Sequence, residues 1–327
     1  MKRSYMVKYF SFNRNLFTIL IGFGFTFNLL FGQNPSVATF SRLGFGSRGI
    51  ALGNAMSSVT KGEIIGYYNP AILPFSNQKS ASLTIGILSL DRNLDFLHYT
   101  QSVYPTAGFS IFIVRAGVKN VDLRDKDGYH IKNINTNEYL IGFSFANRII
   151  EKLSLGLSLK FYYNQLYQEI VAQTLGIDFG LLYKLNDHIN AGVSVHDINA
   201  KYKWDSSILY QEKGRTITDN FPLTVRSGVS YFYKDLFIVS TGYKISGSEG
   251  SLNFGTELYP LYFTSEQFRE SICIRVGVEY LKNPDFAFGF GLSRKISNFI
   301  VLFDYTYKFE RYSPSGMQFL TLGLKLK

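Results

Sequence analysis

Four histidines, His98, His130, His188 and His196, are the side chains here whose ordinary pKa lies near neutrality, and each needs a positioned partner before it can act as a general base. His196 is followed by Asp197, but neighbours on a strand face opposite ways, so the two are not expected to meet. No serine or carboxylate motif singles itself out elsewhere, and catalysis is not expected. A single cysteine, Cys273, excludes an internal disulfide and a multi-cysteine metal site. Asp125-Lys126-Asp127-Gly128 resembles the middle of a calcium loop, yet Leu123 and Ile134 stand where the first and last ligands belong, so a solvated Asp-Gly turn is the better reading. Gly44-Phe45-Gly46-Ser47-Arg48-Gly49 matches G-x-G-x-x-G but lacks the buried strand that must precede a dinucleotide site. Neither a metal nor a cofactor is expected.

The more informative ionisable residues are Lys160, Asp178, Lys184, Arg226, Lys244, Glu257, Arg275, Glu279, Asp304 and Lys308. Each occupies the polar face of an alternating segment. In Leu153 to Asn164, for example, Leu153, Leu155, Leu157, Leu159, Phe161 and Tyr163 alternate with Ser154, Gly156, Ser158, Lys160, Tyr162 and Asn164. Period two is the pattern of a strand with one lipid-facing and one wet face. Such segments recur from about residue 80 to 326, roughly fourteen of them, the even number of a single-chain transmembrane β-barrel. The fold class is therefore all-β, an antiparallel barrel of about fourteen strands, with the ions pointing into a lumen. Interleaved signs favour a salt-bridged interior over an open selective pore. Few large apolar groups are apparent on these lumen faces.

The connections agree with this topology. Lys119 to Asn137 and Asn199 to Asn220 are long and fall on one side, whereas Asn186-Asp187, Lys234-Asp235 and Lys295-Ile296 are tight and fall on the other. Pro260 to Glu270 breaks the rule, being a long connection on the tight-turn side. Aromatic residues such as Tyr163, Tyr183, Tyr231, Tyr233, Tyr280 and Tyr305 end the apolar faces, as interface girdles do.

With 46% hydrophobic residues and a mean hydropathy of only +0.02, the chain is apolar without long apolar runs. Its one uncharged run, Leu16 to Phe31, follows Lys2, Arg3, Lys8 and Arg14 and precedes Gly32, which reads as a signal peptide over 1–32. Of the 34 basic residues four lie in that leader, so the remainder exceeds the 24 acidic ones by six. These are scattered rather than clustered, and no nucleic-acid partner is expected. Residues 33–78, glycine-rich and without alternation, form a candidate plug, and 79–327 the barrel. Leader and barrel together place the protein in the outer membrane of a Gram-negative-type bacterium.

The plug carries a resemblance. Phe40 to Ala55, containing Arg48-Gly49-Ile50-Ala51-Leu52-Gly53, followed by Tyr67-Tyr68-Asn69-Pro70-Ala71, resembles the opening of the PorV/PorQ family of outer-membrane proteins, with Asn54, Leu52 and Ile72 departing from its usual residues. That family is similar in fold to the FadL long-chain fatty-acid channels. The resemblance implies a hatch marked by Arg48, Gly49, Gly53, Asn69, Pro70 and Ala71. It also implies a function through protein contacts in type IX-like secretion or surface attachment, with secretion or attachment proteins as partners. On that reading Lys126, Tyr129, Tyr202, Trp204 and Tyr210 of the long loops are the candidate contacts, aromatic and basic as interfaces favour. The alternative is a FadL-like channel taking up a hydrophobic small molecule. An ion-rich lumen is a poor lining for a lipid tail, and so weighs against the channel.

Overall fold

In the computed structural model the alternating segments become a wall. The structure describes residues 37–76, 79–167, 170–207, 214–264, 269–310 and 315–326, so the proposed leader lies outside the described residues. The first strands are β1 (Lys79–Ile87), β2 (Arg92–Val103), β3 (Ala107–Arg124), β4 (His130–Ile150), β5 (Leu153–Tyr167), β6 (Ile170–Lys184) and β7 (Ile189–Ile198). There follow β8 (Lys201–Asp205), β9 (Thr216–Asn220), β10 (Thr224–Tyr233), β11 (Phe237–Ser246) and β12 (Glu249–Thr264). The last are β13 (Arg269–Tyr280), β14 (Pro284–Ile296), β15 (Phe299–Lys308) and β16 (Met317–Leu326). Fourteen of these strands close into one antiparallel barrel, each pairing with its neighbour, β7 with β10, and β1 with β16. Closure leaves no edge to pair with another chain. The remaining two, β8 and β9, form a separate hairpin.

Burial follows the alternation. Leu159 is 52% exposed and its neighbour Lys160 1%, which settles which face looks inward. The outward faces carry Leu83, Ile85, Ile111, Phe143, Leu157, Phe179, Phe254, Phe288 and Leu322, all exposed, which in a soluble protein would be an untenable apolar belt. No helix among the described residues is long and apolar enough to cross a membrane; strands do the crossing.

Three connections differ from the sequence expectation. Lys119 to Asn137 is mostly a continuation of β3 and β4, paired from Val121↔Ile134 to Arg124↔His130 after a bulge, and only 125–129 turn. Val121 and Leu123 alternate with Asp122 and Arg124 on β3, but Ile131 and Ile134 on β4 are three residues apart and so face opposite ways, which left the pair without one continuous apolar face to mark a hairpin. Asp125 Oδ1 accepts from the amides of Asp127 and Tyr129, both at 2.9 Å, the solvated turn expected there. Asn199 to Asn220 contains the β8–β9 hairpin. Pro260 to Glu270 belongs largely to β12 and β13; Pro260 sits beside the irregularity between Leu258 and Leu261, where a missing amide is tolerated.

Candidate functional site in the barrel lumen

Residues 37–76 lie inside the barrel and are almost all buried. They form short turns rather than a domain: a 3-10 turn Thr39–Arg42, a helix Ser47–Ala51 and a 3-10 turn Pro70–Phe75. Backbone without ladders must find other partners, and side chains supply them. Asn69 Oδ1 accepts from the Ala71 amide at 2.9 Å, while its Nδ2 donates to the carbonyls of Ser57 at 2.8 Å and Leu181 at 3.1 Å. One residue thus caps a turn, ties two parts of the segment together and fastens both to β6. Pro70, the first residue of the turn, pre-sets its φ.

Close approach is possible because the wall is bare where the segment touches it. Gly255 faces Gly277 across β12 and β13. A Cβ at Gly277 would stand 2.1 Å from the Gly53 nitrogen and 2.5 Å from the Ala51 carbonyl oxygen, and one at Gly192 2.2 Å from the Ser57 carbonyl oxygen. No side chain fits there. Gly53 itself has φ +59° and is as close to the backbone of β12 and β13; Gly49 lies against the Tyr68 ring.

The lumen ions fall into rows. Arg48 donates through Nε to Glu257 Oε2 at 2.7 Å and through Nη2 to Oε1 at 3.0 Å, a two-pronged pair between the segment and β12. Its Nη1 reaches the Glu63 carbonyl at 2.7 Å. Arg275 also donates to Glu257, at 2.7 Å, and to Asp304. Glu279 takes both Lys244 and Lys308, the latter at 3.0 Å, and accepts from Asn54 Nδ2 at 3.2 Å. Lys160 bridges Asp178 at 2.8 Å and Asp197 at 3.2 Å. Lys184, at the short-turn rim, lies 4.0 Å over the Phe75 ring, and Arg226 donates to the Tyr67 hydroxyl at 2.7 Å. Cys273 is buried on the same face.

His196 and Asp197 do meet the same network. Asp197 adopts φ 61°, so the alternation breaks at the strand end and both residues turn inward. His196 Nδ1 is 3.0 Å from Asp178 Oδ2 and its Nε2 2.8 Å from Ser194 Oγ. The order serine, histidine, carboxylate is that of an activated nucleophile. Here, however, Ser194 is 1% exposed and its hydroxyl donates to the Tyr68 carbonyl at 3.1 Å, so the row links wall to segment. His98 is likewise fixed, to the Ile64 carbonyl and Thr100. Asp197, Glu63, Tyr67 and Arg42 complete these rows, and the alternation could not assign them to the lumen, because three of them lie in the segment without periodicity and the fourth at the broken strand end.

The lumen is not ionic throughout. Toward the rim of the long connections, Leu94, Phe96, Phe112, Val114 and Leu140 face inward and join Tyr162, with Tyr202 and Phe221 closing over them from the β7–β10 connection. Ala38, Phe40 and Phe45 of the inner segment fill the middle, Phe45 stacked on Phe96 at 5.1 Å and Phe40 edge-on to Tyr162 at 6.4 Å. This corrects the expectation of a lumen poor in apolar groups. A signal was present: in Ile111-Phe112-Ile113-Val114 the alternation fails because both faces are apolar.

The loop candidates separate. Lys126 and Tyr129 are exposed at the β3–β4 tip. Tyr202 is not, being 1% exposed under the hairpin, and Trp204 is partly buried with its Nε1 donating to Asp219 at 2.8 Å. These two pack the lumen roof, where Tyr202 is buried rather than exposed to a partner. Tyr210 lies outside the described residues.

A closed fourteen-stranded antiparallel barrel with an N-terminal segment inside it is an architecture shared with outer-membrane barrels of known structure. The toluene transporter TodX of Pseudomonas putida is similar over 86% of this chain and 96% of its own, with a TM-score of 0.59 and 12% identity. A FadL homologue of Pseudomonas aeruginosa is similar over 86% of this chain and 98% of its own, with a TM-score of 0.55 and 11% identity. No family model and no curated relative matches the chain, so the PorV/PorQ resemblance rests on its sequence motifs alone.

Proposed function

We propose that this protein is an outer-membrane channel for hydrophobic small molecules. The observation that carries the reading is the apolar lining of Leu94, Phe96, Phe112, Val114 and Leu140 at the long-connection end of the lumen, packed around Phe40 and Phe45 and becoming a chamber once those two withdraw. Binding sites for apolar ligands are concave, aromatic-lined and bordered by a few polar groups, and this chamber has that composition. The likeness in fold to a toluene transporter and a FadL homologue points the same way. In this reading the stretch around Phe40 and Phe45 occupies the chamber until a ligand displaces it, and the rows around Arg48 and Asn69 hold the rest of the segment in place.

The secretion reading has less support. Of its candidate contacts among the described residues, Tyr202 and Trp204 serve the roof of the lumen, and Lys126 and Tyr129 are exposed at a narrow hairpin tip. A catalytic role is not proposed either, since the Tyr68 carbonyl already occupies the Ser194 hydroxyl.

Uptake of labelled toluene and of a labelled long-chain fatty acid by cells carrying the barrel tests the proposal. Entry of either should exceed that in cells lacking it, and Phe112→Asp, which puts a charge in the chamber, should lower entry about tenfold, as roughly 1.4 kcal/mol of lost binding would. Entry unchanged by the barrel, with a secreted or surface protein recovered on affinity capture, would return the preference to protein contacts.

A further inference from the structure

The short turns at one end of the barrel are not built like turns that face water. Tyr104 between β2 and β3 is 95% exposed, and Ile150 at the end of β4, Leu185 after β6 and Leu236 before β11 are exposed as well. Tight turns in water favour Gly, Asn, Asp and Ser. Large apolar tips on four turns fit immersion at the boundary between lipid head groups and acyl chains. Short turns mark the periplasmic side of outer-membrane barrels, so the lipid within reach there is a phospholipid.

Three cations stand beside these tips without counterions. Arg148 lies near the end of β4, Lys152 in the turn to β5 and Lys184 at the end of β6. The Lys184 amide donates to the Lys152 carbonyl at 2.8 Å, and the Arg148 and Lys184 charges lie 5.8 and 4.0 Å over the same Phe75 ring, so the three are neighbours. Arg148 Nη2 is fixed on the Pro105 carbonyl at 3.1 Å, while its Nε is buried with no hydrogen-bond partner. Among the described residues no carboxylate is within ion-pairing distance of any of the three; Glu151 and Asp187 on the same turns are exposed and pair with none of them. At the opposite end of the barrel Arg124 and His130 share Asp122, and Arg92 meets Glu310 at 2.6 Å, so neighbouring cations there gather around a carboxylate. At the short-turn rim they gather around none, and like charges so placed repel until an anion comes between them.

We propose that this rim binds the head group of an anionic phospholipid, its phosphate lying among Arg148, Lys152 and Lys184 and its acyl chains on the outer wall beside Ile149. Long basic side chains lay their stems on apolar surface and put their charge at the level of the phosphates. The unpartnered Nε–H of a fixed guanidinium suits a phosphate oxygen. A zwitterionic head group would bring a further cation into the cluster. A protein with an acidic face would answer the charges but not the apolar tips, which are spread along the rim rather than gathered in one patch. The site is independent of what passes through the lumen.

The heat-dependent gel mobility of the purified full chain in detergent tests it, with phosphatidylglycerol as the probe and phosphatidylcholine of the same acyl chains as the control. A ligand that binds only the folded state raises the temperature at which the barrel unfolds. Phosphatidylglycerol should raise that temperature by a few degrees and saturate, phosphatidylcholine should not, and Arg148→Gln combined with Lys184→Gln should abolish the response. Lys152→Gln, in an exposed turn, should need about fivefold more lipid, the factor that one basic residue near an anionic surface supplies. It decides the matter if the double variant does not fold. Lys119→Gln combined with Lys132→Gln, on the far hairpin, should respond as the parent does. No response to phosphatidylglycerol, an equal response to phosphatidylcholine or to soluble glycerol phosphate, an equal loss in the far-hairpin variant, or a parent-like response in Lys152→Gln overturns the site.

Discussion

Arg48 shows how one side chain can hold an irregular segment in place. It sits on a helix of five residues, too short to be stable by itself. Its guanidinium instead joins Glu257 on the wall to the Glu63 carbonyl of the segment. Removing one partner from a buried ion pair costs about 3–5 kcal/mol because the other charge stays buried. Arg48→Ala should therefore weaken the anchoring of residues 37–76 without opening the wall, whose ladder bonds do not involve it. Limited proteolysis should cut the variant within that segment while the barrel fragment stays intact; a parent-like digest would show that Arg48 anchors nothing. The identity of Arg48 was legible from its glycine-rich motif, but its partner, 209 residues away, was not.

At the scale of the element, strands were legible wherever one face met lipid and the other did not. Legibility failed in three physical situations. The upper parts of β3 and β4 carry only scattered apolar residues, Val121 and Leu123 on one strand and Ile131 and Ile134 on opposite faces of the other, and looked like loop. Residues 111–114 are apolar on both faces, which hid the chamber. At Asp197 a left-handed residue ended the alternation early and brought a carboxylate inward that the rule sends outward. The inner segment is a fourth case, since its shape is set by the wall rather than by its own propensities. Gly277→Val tests that dependence, because a side chain at Gly277 must displace the backbone of Ala51 to Gly53. The expected outcome is a correctly assembled barrel with raised single-channel conductance and greater entry of a bulky antibiotic. Parent-like conductance would mean the segment does not control the lumen.

For the whole molecule, the governing fact is a wall closed by β1 and β16, apolar outside and packed inside. Such a wall has no edge to fray, so unfolding must break many ladders together. The protein should therefore fractionate with outer membranes and run faster on gels when unboiled than when boiled. Recovery in the soluble fraction with no heat-dependent shift would contradict a membrane barrel. The periodicity of the chain alone determined the strand count, the inward face and the ions upon it, because a two-residue repeat assigns every side chain to a face. It could not determine which ions meet, or that the lumen divides into an ionic part and an apolar chamber filled by Phe40 and Phe45. Those depend on which strands become neighbours on closure and on where a segment without periodicity comes to rest. Both are long-range outcomes of packing, and only the tertiary structure decides them.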